Sequence, residues 1–145
     1  MKSYKFVVNT ECAIEHDEKF LIIKRPIEKH AGGLLSFPGG KFEATDACNT
    51  DVLKSAVKRE VREEVGLELL DSIHYITSAF FEDTMHKVGV INTVFYCKLE
   101  KTLVNVVPST REVPEYYWLT PVEILSHNSS PKWLVSYIEA IAQYS

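Results

Sequence analysis

Between Asp51 and Val65 the apolar residues Leu53, Ala56, Val57, Val61 and Val65 recur at the spacing of one helix face, and three carboxylates interrupt that face. On a wheel of about 100° per residue, Glu60 and Glu64 fall within roughly 20° of Leu53, inside the apolar stripe, and Glu63 lies at its edge. Thr50 or Asp51 is available as N-cap and Gly66 as the C-terminal stop, so the spacing predicts a helix over this stretch.

Carboxylates three and four residues apart on a helix sit roughly 6 Å from one another, and each like-charge pair costs about 3 kcal/mol at an effective dielectric near 20. A divalent cation removes that repulsion, and an all-oxygen set suits hard Mg²⁺ or Mn²⁺ better than zinc. The competing reading is a charged exposed helix, in which Arg59 pairs with Glu63 and Lys58 and Arg62 screen the rest. The residues around the helix decide between the two.

Upstream, Val7 to Ile14 and Phe20 to Lys24 are β-branched or aromatic runs joined by His16-Asp17-Glu18-Lys19, which predicts a hairpin or two adjacent strands. Pro26 ends that pattern. The segment up to Gly40 holds Gly32, Gly33, Gly39 and Gly40 and closes on Phe37-Pro38-Gly39-Gly40, a loop whose backbone something approaches closely. Downstream, Ile73 to Phe81, Val88 to Lys98 and Glu115 to Leu119 have strand composition. Pro121 to Leu125 predicts one helical turn, and Trp133 to Tyr144 a terminal helix with Leu134, Tyr137, Ile138 and Ile141 on its buried face. Two main helices and a mixed sheet imply a layered α/β/α domain spanning residues 1–145.

With 46% hydrophobic residues, the 145-residue chain supports one compact core. No apolar run reaches the length of a membrane span, and Met1 to Thr10 lacks the apolar core of a secretion signal, so the chain reads as soluble and cytoplasmic. Cys12, Cys48 and Cys97 are odd in number and widely spaced, which predicts reduced thiols rather than a disulfide framework or a zinc knuckle. A net charge of −4 without a long basic patch argues against duplex nucleic acid as a partner. The five histidines have no ligand spacing and receive no role.

Arg59-Glu60-Val61-Arg62-Glu63-Glu64-Val65-Gly66-Leu67 matches position for position the REUxEExGU half of the Nudix box, where U is aliphatic. Pro38-Gly39-Gly40-Lys41 resembles the loop that opens that box, and Ala56 stands where the family usually has alanine. Leu21 to Arg25 and Glu112 to Leu119 also resemble the family's flanking elements. The chain is therefore similar to the MutT-like Nudix hydrolases, a resemblance that implies a Nudix-type α/β/α sandwich with a mixed β-sheet. The departure lies between the halves of the box. The family expects Gly, five residues, a Glu, seven residues and Arg; here Asp46 has the right distance after Gly40 and Asp51 the right distance before Arg59, so about five residues are inserted. Because helix spacing is harder to change than loop length, Asp51 is the favoured equivalent, as a box residue or a helix cap.

The resemblance implies a pyrophosphohydrolase in which Glu60, Glu63 and Glu64, helped by a carbonyl of Gly39 or Gly40, ligate Mg²⁺, with Mn²⁺ as a substitute. Arg59 then orients the carboxylates, and Glu60 or Glu112 is the general base, ahead of Glu115 and Glu82. Arg25, at a strand end, is a candidate for holding a substrate phosphate, and Phe37 and Trp118 are candidates for stacking a base. The implied partner is a small-molecule nucleotide: a nucleoside triphosphate, a nucleotide sugar or an ADP-ribose-type compound. Self-association into a homodimer stays open. Two alternatives are a coenzyme A diphosphatase and a nucleotide-binding module without turnover. For the former, Leu21 to Arg25 and Gly33 to Gly40 partly resemble the signature, one residue short and with His30 where arginine is expected.

Overall fold

In the computed structural model, residues 4–29, 31–47, 50–70 and 72–144 are described; Cys48 and His30 lie outside them. Strand β1 (Lys5–His16) turns tightly into β2 (Lys19–Lys24), and β3 (Leu35–Ser36) and β4 (Gly39–Lys41) lie within the glycine-rich segment. A 3₁₀ turn at Ala44–Asp46 leads to helix α1 (Val52–Val65), followed by β5 (His74–Asp83), β6 (Val88–Lys98) and β7 (Glu115–Leu119). Helices α2 (Pro121–Ser126) and α3 (Lys132–Tyr144) close the described chain. No described helix is long and apolar enough to cross a membrane.

The expected α/β architecture with a mixed sheet is present. Strands β3, β2, β1, β6 and β5 lie in that order, with β4 pairing β1 and β7 pairing β2. The central pair β1·β6 is parallel and in register from Lys5↔Val88 to Glu15↔Lys98, whereas the other pairs are antiparallel. Strand β1 pairs with β2 only at Glu15 and His16, and with β4 over Asn9 to Glu11, so the sheet divides along β1.

Alternation along the strands assigns each face its own core. Cys12, Ile14, Leu21, Ile23, Phe95 and Cys97 pack with Val57, Val61 and Val65 of α1. Ala13, Phe20, Ile22, Val94 and Tyr96 pack with Ile124 of α2 and Leu134, Tyr137, Ile138 and Ile141 of α3. The four residues expected on the inner face of the terminal helix are all buried. Helix α1 ends at Gly66 in the left-handed region, as its sequence predicts, with the Gly66 N–H donating to the Arg62 carbonyl.

The two-residue loop Asp17-Glu18 has both φ angles positive, at 52° and 65°, the geometry whose twist matches a tight hairpin. Asp tolerates that region, but a glutamate there carries a Cβ penalty that glycine lacks. Glu18→Gly is expected to stabilise the fold by about 1 kcal/mol, read as a higher urea midpoint at unchanged m-value.

Candidate active site on the acidic helix

Helix α1 carries its glutamates under β4. Glu60 and Glu64 are buried, at 9% and 8% exposure, while Glu63 faces solvent. The glycine pair makes this possible. A Cβ on Gly40 would stand 2.4 Å from the Glu60 carboxyl carbon, and one on Gly39 would stand 1.9 Å from the Thr10 carbonyl oxygen of β1. With no side chain there, the Gly39 N–H donates to Glu64 Oε1 at 2.8 Å. The close backbone approach expected of this loop is thus an approach to the helix carboxylates.

Arg59 joins the helix to the segment before it. Its Nε and Nη2 donate to the two oxygens of Asp46 at 2.6 and 3.0 Å, and Nη2 also donates to the Lys41 carbonyl at 3.0 Å. The same guanidinium contacts Glu60 Oε1 and Glu63 Oε2, each at 2.9 Å. Asp46 is itself fixed by the Glu43 N–H at 2.8 Å, within a reciprocal cap of the 3₁₀ turn. Its hydrogen bonds from Arg59 hold the Asp46 carboxyl below the usual carboxylate range, and the same contacts raise Arg59. Asp46, rather than the favoured Asp51, is therefore the carboxylate paired with Arg59. Asp51 is exposed at φ 54°, and its side chain makes no cap hydrogen bond. The physical reason is reach: the arginine is long enough to take its partner across the inserted residues.

Burial pushes Glu60 up, opposed by Arg59 and reinforced by Glu63 and Glu112. Burial likewise pushes Glu64 to about 8; the Gly39 N–H and Arg25 oppose the rise, and Glu60 and Glu112 add to it. Glu112 comes near because the strand-free stretch after β6 docks on the end of α1, where the Val107 and Ser109 N–H groups donate to the Val65 and Glu64 carbonyls at 2.9 and 2.8 Å. Glu60, Glu64, Glu112 and Arg25 thus form one electrostatic group. The weaker general-base candidates do not join it: Glu82 accepts from Tyr4 and Glu115 from Tyr117.

One expectation is corrected. Phe37 is 1% exposed and packs against Phe20 in the core beneath α3, so its ring offers no face to a base. Trp118 lies opposite Leu21 on β7, packed at the margin of the α1-side core and edge-on to His16. Glu11, which no sequence pattern singles out, also belongs here: burial pushes its carboxyl up to about 7, and it accepts from Asn92 at 2.5 Å. Its signal was a lone glutamate in the β-branched run of β1.

Among the described residues no three His, Cys, Asp or Glu side chains converge on one point as a ready metal cage; Arg59 engages Glu63 and the Gly39 N–H engages Glu64. The donor set nonetheless suits a hard divalent cation. It is all oxygen, and two of its carboxylates are buried with their charge only partly offset.

The NUDIX domain family matches residues 6–139. The chain belongs to that family. It is 35% identical over 78 residues to an 8-oxo-dGTP diphosphatase of Proteus vulgaris, covering 46% of this chain and 64% of the relative. It is 36% identical over 64 residues to a CTP pyrophosphohydrolase of Escherichia coli (strain K12), covering 44% of each. The match thus spans less than two thirds of these curated relatives. The crystal structure of a MutT protein from Methanosarcina mazei Go1 superposes with a TM-score of 0.78 at 25% identity, over 99% of this chain and 98% of that one.

The Arg59 fork yields one expectation. Asp46→Asn should cost about 2–3 kcal/mol in urea unfolding, whereas Asp51→Asn should stay within about 0.5 kcal/mol of the parent. The Glu64 shift yields another. Its folded value lies above the ordinary 4.5, so the native state favours the neutral form. That stabilisation is fully present below 4.5 and is lost as pH rises through about 8. In EDTA the melting temperature should therefore fall across this window, and millimolar Mg²⁺ at pH 8 should restore it.

Proposed function

We propose that this Nudix domain hydrolyses the diphosphate linkage of a nucleoside diphosphate joined to a further group, such as a nucleoside triphosphate, a nucleotide sugar or an ADP-ribose-type compound. Mg²⁺ is the cofactor of this reading, with Mn²⁺ able to replace it. The observation that carries it is the pair of buried carboxylates, Glu60 and Glu64, held against Gly39 and Gly40 on the acidic helix. Two of the relatives described above are named for hydrolysing nucleotides, which supports the same class of reaction.

Glu60, Glu63 and Glu64, with the carbonyl of Gly40, are the groups that would hold the cation. Once bound, it supplies positive charge to the phosphoryl oxygens and acidifies a water. Arg59 fixes the directions of Glu60 and Glu63 through its two 2.9 Å contacts. Arg25, whose charge already acts on Glu64, offers a guanidinium to a substrate phosphate. The proton of the attacking water goes to Glu60 or to Glu112, whose charge acts on Glu60.

The test is hydrolysis of nucleoside triphosphates, ADP-ribose, dinucleoside polyphosphates and coenzyme A with Mg²⁺, with both products identified. Glu63→Gln and Glu64→Gln should each lower kcat/KM by about 100-fold or more, and EDTA should abolish turnover. Nucleotide binding without turnover in the parent chain would replace this reading with a binding module. Coenzyme A as the sole substrate would move it to a coenzyme A diphosphatase.

A further inference from the structure

On the sheet face opposite the acidic helix, β1 and β6 set Asn9, Glu11 and Asn92 side by side, with Asn9 paired to Asn92 in the parallel ladder. The Asn92 amide nitrogen uses both of its hydrogens, donating to Glu11 Oε2 at 2.5 Å and to the Tyr137 hydroxyl of α3 at 3.0 Å. Its oxygen is left without a partner, as is the Asn9 side-chain oxygen, and both atoms are buried. Asn92 is 3% exposed, whereas Asn9 and Glu11 beside it are only half-buried and open the group towards solvent. An unpaired buried acceptor is costly, and such atoms call for an occupant.

The place of the cluster says what kind of occupant. Glu11 stands opposite Gly39 in the β1·β4 ladder, and the Gly39 N–H holds Glu64. The charge of Arg25 acts on both Glu11 and Glu64. A nucleotide whose phosphates lie at Arg25 and the acidic helix therefore has its base within reach of the point where the sheet divides along β1. The free groups there are acceptors: the Asn92 oxygen and the remaining lone pairs of the Glu11 carboxylate. An exocyclic amino group brings two hydrogens to two such acceptors. A keto oxygen in the same place faces like charge.

We propose that Glu11 and Asn92 read the substrate base, accepting both hydrogens of an exocyclic amino group and so selecting amino-bearing over keto-bearing bases. This rests on the proposed hydrolysis of nucleotides.

The experiment compares kcat/KM with Mg²⁺ at pH 8.5 within the pairs CTP and UTP, and ATP and ITP, each of which exchanges an amino group for a keto group. The native protein should favour the amino member of at least one pair by about tenfold. Glu11→Gln, which turns an acceptor into a donor, should erase or invert that ratio. Glu11→Asp, which withdraws the carboxylate by one methylene, should reduce the ratio and serves where the glutamine variant fails to fold by thermal melting. Ratios within about twofold for all pairs in the native protein, or a preference unchanged in the variants, would overturn the proposal. Where no nucleotide is hydrolysed, the proposed activity fails instead, and calorimetric Kd values for the same pairs in EDTA decide the base reading by the same ratios.

Discussion

The guanidinium of Arg59 is the junction on which the site is built. One planar cation satisfies Asp46 with two hydrogen bonds, takes the Lys41 carbonyl, and still reaches Glu60 and Glu63. Without it, carboxylates three residues apart on one helix would repel, and the 3₁₀ turn would lose the tie that Asp46 makes to the helix. Arginine suits the task where lysine would not, because its rigid fork presents several donors in one plane. The glycine loop completes the arrangement from above, where the missing Cβ of Gly40 leaves room for the Glu60 carboxyl.

Much of this was legible in the chain. Helical spacing located α1 and its stop at Gly66, and placing Glu60 and Glu64 inside the apolar stripe anticipated their burial. Strand composition found β1, β2, β5, β6 and β7, because alternation is local. What escaped depends on contacts distant in sequence. Strands β3 and β4 are two and three residues long and exist only because β2 and β1 pair with them. The parallel pairing of β1 with β6 joins residues about eighty positions apart, and no local pattern encodes it.

The misassigned residues follow the same division. Asp51 was preferred over Asp46 because helix spacing is rigid and loops are not, yet side-chain reach settled the matter. Phe37 is a candidate for stacking a base from the sequence alone. The short β3 turns it inward with Leu35 instead. Glu11 went unnoticed because a single carboxylate in a strand carries no pattern of its own; its importance comes from Asn92 and Tyr137, contributed by a different strand and a helix.

The split along β1 gives this strand a double duty. Its even-numbered positions Thr10, Cys12 and Ile14 face the acidic helix, and Asn9, Glu11 and Ala13 face α3. Cys12 and Cys97, with sulfurs 3.9 Å apart, sit at the centre of the first of these faces, at 0% and 1% exposure. Thiol reagents need both access and a thiolate, and the hydrogen bond to Cys97, together with burial, raises Cys12. The pair is accordingly an internal stopwatch: labelling of these two sulfurs waits for β1 and β6 to part, and its rate counts the openings of the sheet that every other element rests on.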